Sequence, residues 1–275
     1  MSLEGRQIGF IGGGAMAEAL ASGLIAAGIA PADILIADVA AARREHLAAA
    51  LGVRTAQANA EVARSSQIAV LAVKPDVVGP VLENLREAET ANTNAPLWVS
   101  IAAGVPIARL EAQLPEGARV VRAMPNTPAL VRTGATAICG NARVTRDDLA
   151  AARALFDSVG ITWEAPSEDL LDPVTGLSGS GPAYVFAFLE ALTEAGEQVG
   201  LPAEAAARLA AQTVYGAAKL ALESDRTPAE LREQVSSPGG TTLAGLARLE
   251  AAGFRAAVRD AVAAATRRAG ELGRE

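Results

Sequence analysis

Gly12-x-Gly14-x-x-Ala17 narrows the possible folds of this chain more than any other stretch. It follows the apolar run Ile8-Gly9-Phe10-Ile11 and leads into a helical pattern that opens at Ala15. A glycine-rich turn in that strand-to-helix setting is the fingerprint of a dinucleotide-binding βαβ unit. Gly12 permits the tight turn, Gly14 lets a pyrophosphate reach the backbone, and Ala17 holds the helix close to the sheet. The helix start, with Gly13, Ala15 and Met16, offers free N–H groups and partial positive charge to the phosphates.

The rest of the first half repeats the alternation. Strands are expected at Gln7–Ile11, Ile34–Ala37, Ile68–Val73, Leu97–Ile101, Arg119–Ala123, Ala135–Cys139 and Ile161–Glu164. Helical spacing marks Ala15–Ala27, Ala41–Leu51, Val77–Glu87, Ile107–Gln113 and Asp147–Val159. Such alternation implies a parallel sheet covered on both faces. Beyond about Ala165 the strand signals stop. Ala/Leu-rich helices follow at Pro182–Val199, Ala203–Glu223, Pro228–Val235, Leu243–Ala252 and Phe254–Leu272. Proline near helix starts, as at Pro202 and Pro228, fits those boundaries. The expected class is α/β: a Rossmann-type dinucleotide-binding domain over 1–164, then an all-helical domain over 165–275 for substrate binding and dimerisation. Helices apolar on more than one face suit a core completed by a second copy, so a homodimer or higher homo-oligomer is expected.

The charge balance narrows the function. A net charge of -7 over 275 residues argues against a nucleic-acid partner, which needs clustered cations. Cys139 is the single cysteine and His46 the single histidine, so neither an internal disulfide nor a zinc site of nitrogen and sulfur ligands is expected. No apolar run reaches the length of a membrane span, and Met1–Arg6 carries no signal-peptide core. A cytoplasmic protein without membrane or metal is the expectation.

Strand Ile34–Ala37 is followed by Asp38, an acid where such folds bind the adenosine 2′-hydroxyl and repel a 2′-phosphate. Arg43 and Arg44 follow closely, able to pair with a phosphate or to stand as solvated helix residues. NADH and NADPH both stay open as cofactors. Leu71-Ala72-Val73-Lys74-Pro75 and Arg122-Ala123-Met124-Pro125-Asn126-Thr127-Pro128 each follow a strand end, where the ligand crevice of an open sheet lies. Leu177–Tyr184 leads into the long helix, with Ser178 or Ser180 as a candidate cap. In Val235-Ser236-Ser237-Pro238-Gly239-Gly240-Thr241-Thr242, a Pro-Gly-Gly turn presents backbone N–H groups ahead of a helix expected near Leu243. That is a ready anion site, or an N-cap loop with Thr241 as the cap.

Taken in order, these strings closely resemble the pyrroline-5-carboxylate reductase family, from Ile8 to about Phe254. The resemblance implies reduction of L-Δ1-pyrroline-5-carboxylate to L-proline by hydride transfer from NAD(P)H, the last step of proline biosynthesis. It implies cofactor contacts from Gly12, Gly13, Gly14, Ala15, Met16, Ala17, Asp38, Val73, Lys74, Pro75, Met124 and Asn126. It also implies that the Gly239, Gly240 and Thr241 amides hold the substrate carboxylate, that Ser237 shapes the pocket, and that Thr242 Oγ serves the ring nitrogen as the catalytic group. Many relatives carry an acid after the Asn-Thr-Pro string, where this chain has Val131-Arg132-Thr133-Gly134. A β-hydroxyacid dehydrogenase shares the layout but usually needs a lysine in the long helix. Pro182–Val199 has none, the lysines being Lys74 and Lys219.

Overall fold

A computed structural model describes residues 3–87 and 95–274. It divides into two compact units, 1–180 with 263–275, and 181–262.

In the first unit the chain runs β1 (Ile8–Ile11), α1 (Ala15–Ala26), β2 (Ile34–Ala37), α2 (Ala41–Leu51), β3 (Arg54–Ala56), α3 (Asn59–Ser65), β4 (Ile68–Leu71) and α4 (Pro75–Glu87). It continues through β5 (Leu97–Ser100), α5 (Ile107–Glu111), β6 (Arg119–Met124), β7 (Gly134–Gly140), α6 (Arg146–Asp157), β8 (Gly160–Glu164) and α7 (Leu171–Val174). These strands form one sheet in the order β3-β2-β1-β4-β5-β6-β7-β8. Strands β1, β2 and β4 are four-residue apolar runs and β5 is apolar up to Ser100; every residue of the four is buried, the signature of a sheet covered on both faces. Alternate residues of β1 feed two separate layers. Ile8 and Phe10 pack with Leu20, Leu24, Leu155 and Phe156, while Ile11 packs with Leu35, Leu71, Leu82 and Trp98.

The Rossmann-type class expected from the sequence is what the structure has, with two departures. Strand β7 runs antiparallel to β6, so the sheet is not wholly parallel. Strand β3 and helix α3 stood outside the expected elements. Strand β3 is a three-residue edge strand with one buried residue, too short and too polar to register as an apolar run.

The boundary also differs from the expected 164/165. Arg122, on β6 and 6% exposed, donates from Nη1 to Glu168 Oε1 at 2.8 Å and lies 3.7 Å from Asp172 Oδ1. Glu168 Oε1 also accepts the Ile107 N–H at 2.8 Å. One buried cation thus binds the segment after β8 to the sheet and to the start of α5. Arg122→Met is expected to cost about 2–4 kcal/mol of stability, because it strands a partly buried carboxylate. Denaturant melts of the two proteins check this; an unchanged midpoint would show the network to be incidental.

The second unit is helical: α8 (Gly181–Gln198), α9 (Ala203–Glu223), α10 (Pro228–Gln234), α11 (Thr241–Ala251) and the first part of α12 (Phe254–Leu272). Pro228 opens α10 behind a Thr227–Glu230 capping box. Helices α8 and α11 bury no residue fully, and Phe186, Leu209, Tyr215 and Leu222 stand exposed. Among the described residues no helix is long and apolar enough to cross a membrane.

Candidate active site

In the first unit, β1 has β2 on one side and β4 on the other. The chain leaves these strands in opposite directions, which opens the crevice where such sheets bind ligands. Gly12 sits at its floor with φ +96° and its N–H on Ala37 O at 2.8 Å. A Cβ there would lie 2.7 Å from Ala72 O and 2.8 Å from Val73 Cγ1, so only glycine fits. Gly14 is the N-cap of α1, has no side-chain cap bond, and has nothing within 4 Å of where a Cβ would stand. Ala15 and Met16 follow at the uncapped helix start, and Ala17 is fully buried against the core. Open space at Gly14 and unclaimed N–H groups on α1 fit a bound pyrophosphate.

Asp38 closes the loop from the side. Its Oδ2 accepts the Gly13 N–H at 2.8 Å and its Oδ1 the Ala40 N–H at 2.9 Å. Arg43 donates from Nε to Gly13 O and from Nη2 to Glu18 Oε2. Arg44 Nη1 rests on the carbonyls of Asp38 and Val39, at 2.8 and 3.1 Å. His46 is 53% exposed and lies 3.0 Å from Glu18 Oε1. The Arg43 guanidinium first, and His46 second, hold the Glu18 carboxyl below the usual carboxylate range.

Strand β4 ends at Leu71, two residues before the expected Val73, and Pro75 opens α4. Val73 therefore sits in the turn against Gly12, and Lys74 is exposed, with no ion-pair partner among the described residues. Met124 and Asn126 follow β6. Asn126 is buried, donating from Nδ2 to Ser178 O at 3.0 Å and accepting the Ala135 N–H on Oδ1 at 2.8 Å. Its side chain, expected to face the crevice, is thus largely spent on the protein. One N–H and one lone pair are left over. Ser178 and Gly179 lie in a π-helical turn, Thr175–Gly179, packed on Met124. Ser178 Oγ donates back to Val174 O at 3.2 Å and does not cap α8. Burial pushes the Cys139 thiol up, as befits a structural residue.

The second unit carries the Pro-Gly-Gly loop. Pro238, Gly239 with φ +71°, and a Gly240 N–H donated to Ser237 O at 2.9 Å make a tight turn. Pro at its second position and a positive-φ glycine at its third are what a type II turn requires. A Cβ on Gly240 would lie 2.5 Å from Ser237 Oγ. Two expectations are corrected here. The helix begins at Thr241 rather than near Leu243, with Gly240 and not Thr241 as the N-cap. The Gly240 amide is occupied by its own turn, so the open donors are those of Thr241, Thr242 and Leu243 at an uncapped helix start.

The fingerprint loop, the switch point beside β1 and the open start of α1 define a nicotinamide-dependent oxidoreductase of the Rossmann type. Residues 7–104 match the family model described as NADP oxidoreductase coenzyme F420-dependent, and residues 168–272 match pyrroline-5-carboxylate reductase dimerisation. The pyrroline-5-carboxylate reductase of Synechocystis is 48% identical over 270 residues, 98% of this chain and 99% of the relative. A solved pyrroline-5-carboxylate reductase from Coxiella burnetii aligns with a TM-score of 0.91 at 41% identity, covering 97% of this chain and 98% of that one. The Plasmodium falciparum pyrroline carboxylate reductase, solved with NADP bound, gives 0.86 at 34% identity, covering 99% and 100%. The chain belongs to the pyrroline-5-carboxylate reductase family, and like the members its dimerisation model describes it is a homo-oligomer.

Proposed function

We infer that this chain reduces Δ1-pyrroline-5-carboxylate to L-proline with NAD(P)H, the last step of proline biosynthesis, with the substrate held at the start of α11. The observation that carries the placement is the open N-terminus of α11 behind the Ser237–Gly240 turn. The N–H groups of Thr241 and Thr242, with Gly239 beside them, take the carboxylate. Gly240 keeps the turn closed, and Ser237 shapes its wall. Gly12, Gly14, Ala15 and Met16 cradle the pyrophosphate, Gly13 and Asp38 border the adenosine ribose, and the Val73–Pro75 and Met124–Asn126 segments line the crevice. Bound NAD(P)H supplies the hydride that ends on the C=N carbon.

An imine nitrogen is basic enough to enter protonated, so this chain needs no strong general acid. His46, paired with Glu18, takes no part. The hydroxyl of Thr242 donates to the ring nitrogen as its positive charge is lost and a lone pair forms. Orientation supplies most of the acceleration. The assembly is a homodimer formed through the helical unit, whose apolar side chains stand exposed, and the cytoplasmic setting expected from the lone cysteine completes the reading.

The test is an absorbance assay of NADH and NADPH oxidation with Δ1-pyrroline-5-carboxylate, with light scattering on the same sample. Rapid oxidation by a dimer or larger oligomer is expected. No oxidation with either cofactor, or a monomer at micromolar concentration, would overturn the corresponding half of the reading.

A further inference from the structure

We propose that the adenosine end of the crevice is built for an unphosphorylated ribose, so that this chain binds NADH in preference to NADPH, with Asp38 as the deciding residue. The proposal rests on the dinucleotide reading above and goes beyond it.

Asp38 is held in place from both sides. Each of its carboxylate oxygens already accepts a backbone N–H, one from Gly13 in the fingerprint loop and one from Ala40 at the start of α2. Two amide donors fix the group in position. A carboxylate has about four lone-pair sites, so roughly two remain to accept ribose hydroxyls. A 2′-phosphate at the same place brings its own negative charge against a carboxylate that cannot swing aside without abandoning Gly13.

The cations that could offset that repulsion are committed elsewhere. Arg43 bridges Gly13 O and Glu18, tying the loop to the first turn of α1. Glu18 adds a second fixed negative charge to this flank, shared with His46. Arg44 is parked on the carbonyls of Asp38 and Val39. Neither arginine is free to form a two-pronged clamp on a phosphate without breaking a bond that shapes the loop. The Plasmodium falciparum relative was solved with NADP bound, so the preference is assigned to this chain's own residues and not to the family.

The experiment is calorimetric titration of NADH and of NADPH into the full chain without substrate. It uses wild type, Asp38→Ser, Asp38→Asn and Arg44→Ala. In the wild type NADPH is expected to bind roughly tenfold or more weakly than NADH. Asp38→Ser should shrink that gap by about tenfold, chiefly by tightening NADPH. Asp38→Asn keeps an oxygen for the Gly13 N–H while losing the charge, so it should shift the gap the same way even if serine disturbs the loop. Arg44→Ala should leave the ratio within about threefold of wild type. Equal or tighter NADPH binding by the wild type would overturn the proposal. So would an unchanged ratio in the asparagine variant, or a selective loss of NADPH on removing Arg44. Failure of both dinucleotides to bind would instead remove the oxidoreductase reading itself, an outcome separate from a reversed preference.

Discussion

Gly14→Ala is expected to fold with wild-type stability while weakening dinucleotide binding about a hundredfold, whereas Gly12→Ala should lose both stability and binding. The contrast comes from what surrounds each glycine. Gly14 has φ -65°, an angle any residue adopts, and open space where its Cβ would go. A methyl group there strains nothing in the free protein and fills only the place where a pyrophosphate would meet the backbone. Gly12 has φ +96°, and its Cβ would stand 2.7 Å from Ala72 O, in a floor that cannot yield without parting β1 from β4. That combination costs about 2–4 kcal/mol. Thermal melts with and without NADH separate the two cases. The Gly14 variant should melt with the wild type alone and gain little from cofactor, by the linkage of binding to stability. A Gly14 variant that is stabilised by NADH as much as the wild type would mean that the phosphates do not approach this loop.

Thr242→Ala is expected to lower kcat by about 10- to 100-fold, near 1.4–2.7 kcal/mol of barrier, with the Kd for cofactor unchanged. Thr242 is the second residue of α11, so its backbone N–H is retained in the variant and the carboxylate keeps its donors. What is lost is one hydroxyl, useful only as the nitrogen gives up its charge. Such an interaction belongs to the transition state, and its loss appears in kcat rather than in KM. Thr242→Ser should recover most of the rate, since it restores the hydroxyl without the methyl group. If alanine and serine behave alike, or if kcat does not fall, the group on the nitrogen is another.

The parts of the fold readable in the sequence are those where burial on both faces leaves an unbroken apolar run. Strands β1, β2 and β4 are of that kind, β5 nearly so, and the glycines between β1 and α1 fixed where the crevice lies. Strand β3 was invisible because an edge strand needs little apolar surface. The reversed direction of β7 leaves no mark on its composition. It does leave one in the connection, because the residues between Met124 and Gly134 are too few for the crossover a parallel neighbour requires.

At the candidate site, residue identity was legible and hydrogen-bond partners were not. Asn126 reads as a polar group beside a crevice, but its partners lie across a turn at Ala135 and far along the chain at Ser178. The pair Thr241-Thr242 resembles a capping sequence. The preceding turn, by consuming the Gly240 N–H, moves the helix start two residues earlier and makes glycine the cap. The extent of the first unit was hidden for a similar reason, since it depends on what Arg122 reaches rather than on what surrounds it in sequence.

The final helix has a consequence for how the chain is made. The unit that begins at the N-terminus also claims 263–275, where Leu272 comes within 3.1 Å of the place a Cβ on Gly104 would occupy. Domains tend to fold in order as a ribosome releases them. Here the first unit to emerge is also finished late, because its closing segment follows the whole of the second unit in the chain. A nascent chain halted between α8 and α12 carries all eight strands with one seam still open, and that seam closes only after the second unit has been synthesised.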